Sequence, residues 1–240
     1  MPIYCITGAN RGLGLEFVRQ LASSPENTVL ATSRSVSPAD LGDLRSAASA
    51  TTHILECDVG SLESIGSFAR EAARILDGRK VDFLVNNAGV NLQSSRSSLE
   101  IDPETLYDQV RINVVGPAKI VESFAGAGML SADVRVVNLT SGLASMGVSL
   151  GISPRKCAAY SISKAGLNML TVHQSGDLRT KFPGAVAIVI DPGWVKTRLG
   201  GEGAILEPEV SIGGMLKVIH GLGKDDNGKF FSYQGDEIPW

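Results

Sequence analysis

A tyrosine and a lysine four residues apart form the first group in this sequence that could do chemistry. If the segment Tyr160-Ser161-Ile162-Ser163-Lys164 is helical, the phenol of Tyr160 and the ammonium of Lys164 lie on the same face. A phenol has a pKa of about 10 in water, and a nearby positive charge lowers it. A tyrosine activated in this way could exchange a proton with a carbonyl or alcohol oxygen. The pattern is weak by itself, because any exposed helix can carry it.

Two further polar residues could join this pair. Ser141 follows the apolar run 134–140, at the carboxyl edge of a predicted strand where open α/β sheets bind ligands, and its hydroxyl could donate to a substrate oxygen. Asn113 lies on the apolar stripe of a predicted helix, and Pro117 lacks the N–H that would bind the Asn113 carbonyl oxygen. A carbonyl freed in this way is a site for an ordered water. The alternative is a proline-kinked helix around a satisfied buried amide.

A glycine-rich turn follows the first predicted strand and leads directly into a predicted helix. Its sequence is Thr7-Gly8-Ala9-Asn10-Arg11-Gly12-Leu13-Gly14. Glycines let the backbone turn sharply and approach a pyrophosphate, and the helix N-terminus supplies N–H donors. The spacing Gly-x3-Gly-x-Gly matches the GxGxxG fingerprint only loosely, and the alternative is a tight turn with no ligand. We interpret it as a dinucleotide-binding turn.

Two arginines indicate which dinucleotide. An NAD enzyme usually ends its second strand with an acidic residue that binds the ribose 2′-hydroxyl, whereas this chain has Thr32-Ser33-Arg34 there. Arg11, within the glycine turn, would lie close to the same ribose. Two guanidinium groups suit a 2′-phosphate through charge-assisted hydrogen bonds. NADP(H) is therefore favoured over NAD(H), with two solvated surface arginines as the alternative.

The elements that must position these residues alternate between strands and helices. Apolar runs predict strands at 2–7, 28–33, 53–57, 81–86, 134–140 and 186–190, with a last short strand at 230–233. Helical periodicity predicts helices at 12–22 and at about 62–76, 103–125 and 158–181. This alternation predicts an α/β fold: a single-domain Rossmann fold over residues 1–240, with a doubly wound, mostly parallel sheet and helices on both faces.

Composition and charge exclude several classes of protein. The chain has 240 residues, of which 43% are hydrophobic and 20% charged, and its net charge is −3. No basic surface indicates a nucleic acid or an anionic membrane as a partner. The three cysteines form no CxxC pair, so we expect reduced thiols, neither a disulfide framework nor a metal site. With no transmembrane run and no signal peptide, the predicted location is cytoplasmic.

Taken together, these segments resemble the classical short-chain dehydrogenase/reductase family across nearly the whole chain. The matching pieces occur in family order: TGANRGLG at 7–14, Asp58-Val59, Asn86-Asn87-Ala88-Gly89, Asn113, Ser141, Tyr160-x3-Lys164 and Pro192-Gly193-x3-Thr197. No piece is decisive alone, and the ordered series is very specific.

The resemblance implies a role for each matching residue. The implied catalytic tetrad is Asn113, Ser141, Tyr160 and Lys164, in which Asn113 holds the water of a proton relay and Lys164 also binds the nicotinamide ribose. Asp58 would contact the adenine, residues 87–89 would flank the cofactor, and Thr197 would reach the carboxamide. The full implied cofactor-binding set is Gly8, Asn10, Arg11, Gly12, Leu13, Gly14, Arg34, Asp58, Val59, Asn87, Ala88, Gly89, Tyr160, Lys164, Pro192, Gly193, Val195 and Thr197.

A narrower resemblance is to the sniffer/C-factor group of carbonyl reductases. It is carried by ANRGLG, the strand end ATSR, PGWVKTRLGG at 192–201 and the tail FFSYQGDEIPW at 230–240. It implies hydride transfer between NADPH and a ketone, aldehyde or quinone carbonyl, or the reverse from a secondary alcohol, with Tyr160 protonating the oxygen and Ser141 orienting it. The alternative is an NADP(H)-binding signalling or sensor protein with little turnover, which would have no use for an intact tetrad.

A hydrophobic substrate pocket is the expected neighbour of this tetrad. Its expected wall is apolar, although any member could equally be ordinary core: Leu143, Met146, Trp194, Leu199 and Met215. Residues 145–156 form an insertion beside the site, because Ser141 and Tyr160 are further apart than the family usually has them. Residues 198–222, rich in glycine, are interpreted as a segment covering the substrate, with a long surface connection as the alternative.

Apolar residues on more than one side of two long helices predict a homodimer. They occur on the predicted helices 103–125 and 158–181, through which family members commonly pair: Ile112, Val115, Ile120, Leu167, Met169 and Leu170. One apolar side packs on the sheet, and a second indicates burial against another subunit. The opposing possibility is that the insertion 145–156 folds over this surface and leaves a monomer.

Overall fold

A seven-stranded parallel sheet forms the centre of the molecule in the computed structural model, which describes residues 1–240. Its strands are β1 (Ile3–Ile6), β2 (Thr28–Ser33), β3 (Thr52–Glu56), β4 (Val81–Asn86), β5 (Leu130–Leu139), β6 (Val186–Asp191) and β7 (Phe230–Ser232). Their order is β3-β2-β1-β4-β5-β6-β7, and every neighbouring pair is parallel. All the predicted strands are present, and the predicted Rossmann fold is confirmed.

Eight α-helices cover the two faces of the sheet. They are α1 (Gly12–Ala22), α2 (Gly42–Ala47), α3 (Leu62–Leu76), α4 (Pro103–Val110), α5 (Gly116–Gly126), α6 (Met146–Leu150), α7 (Ala158–Lys181) and α8 (Pro208–Gly221). A π-helical turn, Arg111–Val115, joins α4 to α5, so the predicted helix 103–125 is continuous but distorted in the middle. No helix combines the length and the apolar character needed to cross a bilayer.

Successive side chains of each strand enter two separate hydrophobic cores. Ile3 and Cys5 of β1 belong to the core under α3 and α5, whereas Tyr4 and Ile6 belong to the core under α1 and α8. Strands buried on both faces have no polar alternation, which is why their sequences read as uninterrupted apolar runs. The sheet is therefore covered on both sides, as the sequence predicted.

The start of β5 differs from the prediction. The strand begins at Leu130, four residues before the predicted start, and contains the polar segment Ser131-Ala132-Asp133. The pairing of β5 with β4 shifts register between Val81 and Phe83. This irregularity lets a partly exposed, polar stretch belong to a strand, which hydrophobic periodicity does not reveal.

Most of the segment 198–222, interpreted from the sequence as covering the substrate, is a helix packed on the sheet. Residues 208–221 form α8, and Ile212, Met215 and Ile219 are buried on its inner face. Burial of each such side chain stabilises the fold by about 1.5–3 kcal/mol. Gly214 is required here, because a Cβ atom would lie 2.4 Å from the carbonyl oxygen of Tyr233. Met215 is thus a core residue, and its expected place in a substrate pocket is corrected.

The carboxyl edge of the sheet holds the candidate site. The chain runs outward from β1 to β2 and β3, then returns to the other side of β1 with β4. Ligands of open α/β sheets bind at such a reversal point, outside the carboxyl ends of the strands. The glycine turn follows β1 at this point, and most of the other predicted site residues follow β2, β3, β4, β5 and β6. Asn113 lies in the π-helical turn, and Tyr160 and Lys164 lie near the start of α7.

Candidate active site and cofactor cleft

The glycine turn is held in place by the end of β2. The backbone N–H groups of Gly8 and Ala9 donate to Thr32, to its Oγ1 at 3.2 Å and to its carbonyl oxygen at 2.6 Å. Gly8 and Gly12 have φ values of +68° and +54°, which side-chain-bearing residues rarely adopt. A Cβ atom on Gly14 would lie 2.2 Å from the carbonyl oxygen of Gly8. The turn therefore needs these glycines to fold back so closely on itself.

The N-terminus of α1 is open toward this turn. Arg11 occupies the N-cap position, but no side chain caps the helix and its first turn has no acidic residue. Unpaired backbone N–H groups and the helix dipole both favour an anion at such a position. Asn10 and Leu13 flank the same backbone and are partly exposed. These residues fit a pyrophosphate group, as the sequence predicted.

Asn87 stabilises the glycine turn from the side of β4. Its side-chain amide donates to the carbonyl oxygens of Thr7 and Gly8 at 2.8 and 3.0 Å. The backbone N–H groups of Asn87 and Ala88 donate to Thr7 Oγ1 at 3.0 and 3.1 Å. The amide donors of Asn87 are thus engaged within the protein, which leaves the backbone of residues 87–89 to flank a cofactor.

Arg34 and Asp58 follow neighbouring strands, β2 and β3, on one side of the glycine turn. Asp58 Oδ1 accepts a hydrogen bond from the N–H of Gly60 at 2.9 Å, and the Asp58 N–H donates to Ser64 Oγ at 2.9 Å. Val59 is buried against the backbone of Gly116. Arg34 is exposed and has no hydrogen bond or ion pair within the protein. This end of the cleft offers a fixed carboxylate and an unpaired guanidinium group.

Tyr160 and Lys164 lie on the buried face of α7, as their spacing predicts. Their exposed fractions are only 7% and 4%. Lys164 Nζ donates to the carbonyl oxygen of Leu139 at 2.7 Å and lies 5.9 Å from the centre of the Tyr160 ring. Burial lowers the pKa of Lys164 from 10.5 to about 8. The ammonium is thus anchored to the end of β5.

The expected lowering of the Tyr160 pKa is not present in the protein alone. Burial raises the pKa of the phenol above its ordinary value of 10.0, and the carboxylate of Asp191 raises it further. The sequence showed the nearby lysine, but it did not show how completely the phenol is removed from water. Tyr160 therefore holds its proton firmly at neutral pH.

The side chain of Asn113 is fully enclosed and has polar partners on both of its ends. Its Oδ1 accepts from the N–H of Val90 at 2.9 Å, and its Nδ2 donates to the Val90 carbonyl oxygen and to Ser163 Oγ, each at 2.9 Å. Ser163 Oγ in turn donates to the carbonyl oxygen of Tyr160 at 2.8 Å. Of the two possibilities left open by the sequence, the satisfied buried amide is present. The Asn113 backbone carbonyl, which Pro117 cannot bind, stays the group that the sequence predicts to hold a water.

Ser141 begins a short 3₁₀ turn, Gly142–Ala144, directly after β5. Its Oγ accepts a hydrogen bond from the N–H of Leu143 at 3.2 Å. The hydroxyl proton is not committed to a protein acceptor, because no hydrogen bond donated by this group is present. Ser141 can therefore still donate to a substrate oxygen, which is the role the sequence predicted.

Asp191, which the sequence reasoning missed, joins two turns of the site. Its Oδ1 accepts from the N–H of Gly193 at 3.2 Å, and its carboxylate also accepts from the N–H of Gly142. It thereby connects the turn of Ser141 to the Pro192-Gly193 turn. Burial raises the pKa of this carboxyl group. The available signal was an acidic residue ending an apolar strand directly before Pro-Gly.

A buried polar network supports α7 against the sheet and was also missed. Asn86 and Asn138 are paired across β4 and β5, and Asn86 Nδ2 donates to Asn138 Oδ1 at 2.8 Å. Asn138 Nδ2 donates to Thr171 Oγ1 at 2.8 Å and to Gln174 Oε1 at 2.9 Å. Two asparagines near the ends of apolar strands were the signal. The network fixes the position of the helix that carries Tyr160.

The loop after β6 packs over the glycine turn. Thr197 Cγ2 lies 3.5 Å from the position of a Cβ atom on Gly12. Gly193 has φ +77°, and a Cβ atom there would lie 3.0 Å from Leu206. Val195 is buried, and Pro192 accepts a hydrogen bond from Ser211 Oγ at 2.7 Å. The structure therefore brings the 192–197 segment to the glycine turn, where the resemblance implies contacts with the cofactor.

A cavity of about 350 Å³ lies beside α7, but Tyr160 does not line it. It is bounded by the 145–156 insertion and by Ser161, Ile162 and Ala165, which occupy a different side of α7 from Tyr160. Leu143 and Met146 line this cavity. Trp194 and Leu199 do not line this cavity and are exposed on the loop after β6. The residues expected to form one pocket therefore lie in two separate places.

Gly89 lies close to both Asn113 and Lys164, and its lack of a side chain leaves space between them. A Cβ atom on this residue would lie 3.2 Å from Asn113 Oδ1 and 3.3 Å from Lys164 Nζ. The backbone of β4's carboxyl end thus approaches both catalytic candidates closely. Together with the open helix N-terminus and the unpaired arginines, this cleft has a shape and charge that fit a dinucleotide phosphate.

Comparisons of the sequence and of the fold with known proteins support the resemblance on which the site residues were predicted. The family model described as short chain dehydrogenase matches residues 2–204. The C-signal protein of Myxococcus xanthus is 37% identical over 160 residues, which cover 67% of this chain and 93% of that protein. The NADPH-bound carbonyl reductase from chicken fatty liver superposes with a TM-score of 0.91, with 28% identity and full coverage of both chains. The carbonyl reductase Sniffer of D. melanogaster gives a TM-score of 0.87, also with 28% identity and full coverage.

Proposed function

This chain belongs to the short-chain dehydrogenase family, and on that premise we propose that it is an NADPH-dependent carbonyl reductase. It would transfer a hydride between the nicotinamide of NADP(H) and the carbonyl carbon of a ketone, aldehyde or quinone, or the corresponding secondary alcohol. The observation that carries the proposal is the placement of buried Tyr160 and Lys164 across Gly89 from an open glycine turn with unpaired arginines.

NADP(H) would supply the hydride, and the protein would supply binding and orientation. The pyrophosphate would lie against Gly12, Leu13 and the N-terminus of α1, with Arg11 and Arg34 on the 2′-phosphate. Asp58 and Val59 would bound the adenine, and Thr197 would meet the carboxamide. Lys164 uses one N–H on Leu139, so two remain for the ribose hydroxyls. The carbonyl reductase from chicken fatty liver, which binds NADPH, supports this choice of cofactor.

The raised pKa of Tyr160 supports the reductive direction. Reduction of a carbonyl needs a proton donor, and burial with the Asp191 carboxylate keeps the phenol protonated. In this mechanism Tyr160 donates its proton to the substrate oxygen while the Ser141 hydroxyl orients the same oxygen. The Asn113 backbone carbonyl would hold a water that returns a proton toward Lys164 and Tyr160. Alcohol oxidation would need the deprotonated phenol, which this environment disfavours.

The substrate would enter beside the exposed side chains of Trp194 and Leu199. These two side chains and exposed Ile205 are the large apolar residues at the surface of the loop between β6 and α8. Apolar walls with few polar groups favour hydrophobic carbonyl compounds. Residues 198–207 are the remaining part of the segment interpreted as covering the substrate.

A signalling role is the second candidate, and the name of one relative favours it. The relative from Myxococcus xanthus is called C-signal. In this alternative the chain binds NADP(H) and responds to it with little turnover. Absorbance of NADPH, followed with a panel of quinones, diketones and aromatic aldehydes, separates the two candidates. Substrate-dependent oxidation of NADPH supports the reductase, whereas tight NADPH binding with no turnover of any carbonyl supports the sensor.

We also propose that the chain forms a homodimer through α5 and α7. Ile120 and Leu167 are buried on the sheet side, whereas Val115 and Met169 are 38% and 60% exposed. The exposed apolar residues of α7 and of the π-helical turn before α5 form a surface that a second copy of the chain could cover. The insertion 145–156 packs beside Ile162 and does not enclose Met169, so this surface stays open.

A further inference from the structure

The cavity beside α7 is separate from the proposed catalytic cleft. It has a volume of about 350 Å³, and neither Tyr160 nor Ser141 lines it. On α7 it is bounded by Ser161, Ile162 and Ala165, whereas Tyr160 lies on the buried face of that helix. Small-molecule sites in proteins have volumes of roughly 300–1,000 Å³. The cavity is therefore large enough for a small ligand that the proposed reaction does not use.

The wall opposite α7 is formed by the 145–156 insertion, which contacts within the protein hold in place. Ser145 caps the N-terminus of α6, and its Oγ donates to the carbonyl oxygen of Pro239. Ser149 Oγ donates to the carbonyl oxygen of Leu143 at 3.0 Å, which joins α6 to the turn after β5. A ligand would therefore bind without first ordering this segment, and less conformational entropy would be lost.

Large apolar side chains are left partly in water around the cavity. Met146 and Ile162 both line it, and their exposed fractions are 73% and 48%. Leu143 and Ile152 line the same space and are only half-buried. Apolar surface that remains in water favours a ligand with an apolar body, because binding removes that surface from water.

Two cations lie beside this apolar surface, and no carboxylate lines the cavity. Neither Arg155 nor Lys156 forms an ion pair. The guanidinium group of Arg155 is fixed, because its Nε and Nη2 donate to the carbonyl oxygens of Ser149 and Leu150 at 2.9 and 2.8 Å. Three of its five N–H groups remain for another acceptor. A planar guanidinium group is well matched to the two oxygens of a carboxylate.

We propose that this cavity is a binding site for a small amphipathic carboxylate, a molecule with one anionic head and one aliphatic chain. The chain would lie against Ile162 and Ala165, and the carboxylate would meet Arg155 and Lys156 at the edge of the cavity. This site lies outside the catalytic cleft, so the inference goes beyond the proposed function and does not depend on it.

Calorimetric titration with decanoate and decanamide tests the proposal without relying on activity. The two probes have the same aliphatic chain, and only decanoate is charged at neutral pH. The unmodified chain should bind decanoate about tenfold more tightly than decanamide, because a charge-assisted hydrogen bond is stronger than a neutral one. Ile162→Glu places a carboxylate on the cavity wall and should weaken decanoate binding by about tenfold or more, with a smaller effect on decanamide.

A second variant, Ala165→Phe, fills the cavity with an apolar side chain and should weaken the binding of both probes. Val172→Glu is the matched control, because it places the same charge on α7 at a position that is 40% exposed and does not line the cavity. Circular dichroism shows whether each variant is folded.

Four results would overturn the proposal. An equal loss of decanoate affinity in Val172→Glu would mean a general charge effect. Unchanged decanoate binding in Ile162→Glu and Ala165→Phe would place the probe elsewhere, such as the catalytic cleft. Equal affinities of the unmodified chain for the two probes would exclude an anion site. If the unmodified chain binds no decanoate, the site is rejected, and a fall from a two-chain to a one-chain mass in Ile162→Glu would show that a second copy covers the cavity.

Discussion

The ammonium group of Lys164 donates a hydrogen bond to the backbone carbonyl oxygen of Leu139, 2.7 Å away. This contact joins α7 to the last residue of β5 and holds a buried cation beside Tyr160. The lysine is therefore fixed by the sheet itself and is in place before a cofactor binds. Its buried charge also has a measurable cost.

We predict that this cost appears as a pH dependence of stability. The pKa of Lys164 falls from 10.5 in the unfolded chain to about 8 in the fold, so the unfolded state binds more protons between these values. The free energy of unfolding should therefore rise with pH over this range, by roughly 3 kcal/mol in total from this group. Well below pH 8, Lys164 is charged in both states, so the whole destabilisation that burial of its charge causes is present.

Lys164→Met isolates this effect, because methionine has similar length and no charge. Urea unfolding at several pH values between 7 and 10.5 should show a smaller rise in the variant than in the unmodified chain. Other titrating groups are common to both proteins and cancel in the difference. Parallel curves for the two proteins would show that Lys164 keeps its ordinary pKa.

The choice of cofactor depends on Arg34. Arg34→Asp removes a phosphate ligand and places a carboxylate where the ribose 2′-hydroxyl of NADH would bind. NADPH affinity should fall by about tenfold or more, and NADH affinity should be unchanged or improved. Fluorescence titration of both nucleotides measures this. Arg179→Ala is the control, because it removes an exposed arginine near the end of α7, away from the glycine turn. The same loss of affinity for both nucleotides would contradict a role for Arg34 at the 2′-phosphate.

Asp191 should influence both the geometry and the proton affinity of the site. Asp191→Asn replaces one carboxylate oxygen with an NH₂ group, so a donor would face one of the two N–H groups, of Gly193 and Gly142, that the carboxylate now accepts from. Removal of the negative charge should also lower the pKa of Tyr160. The rate of alcohol oxidation should then reach its plateau at a lower pH than in the unmodified enzyme.

A pH profile of alcohol oxidation at saturating cofactor measures this shift. If Asp191 has only a structural role, Asp191→Asn would lower the rate at every pH. The pH at which the rate reaches its plateau would then stay unchanged. That result would remove Asp191 from the control of Tyr160 while leaving its contacts intact.

The proposed dimer can be tested independently of catalysis. Light scattering at micromolar concentration should give the mass of two chains. Met169→Glu, which places a charge on the exposed apolar side of α7, should shift the mass toward one chain without loss of the fold, as circular dichroism would show. Val210→Glu is a suitable control, because it places the same charge at an exposed apolar position of α8, on the other face of the sheet. A single-chain mass for the unmodified protein would reject the dimer and indicate that the chain acts alone.

Several features of the fold and of the candidate site could be predicted from the sequence, because the local spacing of residues determines them. The i, i+4 spacing of Tyr160 and Lys164 gave their common face, and the uninterrupted apolar runs gave a sheet covered on both sides. The glycine turn and Arg34 predicted the position of a phosphate, which stays a prediction. These features depend on residues that are close together in the chain or on the order of its elements.

Other features depend on contacts between distant residues, and the sequence could not show them. The need for glycine at position 214 follows from the backbone of Tyr233, which packs against it. The raised pKa of Tyr160 follows from complete burial and from Asp191, which is thirty-one positions away in the chain. The contact of Thr197 with Gly12 likewise depends on how the loop after β6 packs on the glycine turn.

Tyr160→Phe is the most direct test of the proposed reaction, because it removes only the hydroxyl that would donate the proton. Stopped-flow measurement of NADPH oxidation under single-turnover conditions, with a carbonyl compound that the unmodified enzyme reduces, gives the rate of the chemical step. NADPH affinity, measured in parallel, reports whether the cofactor cleft is intact. The account predicts unchanged affinity and a rate lower by a factor on the order of 10²–10⁴. A near-normal rate in this variant would contradict the assignment of Tyr160 as the proton donor.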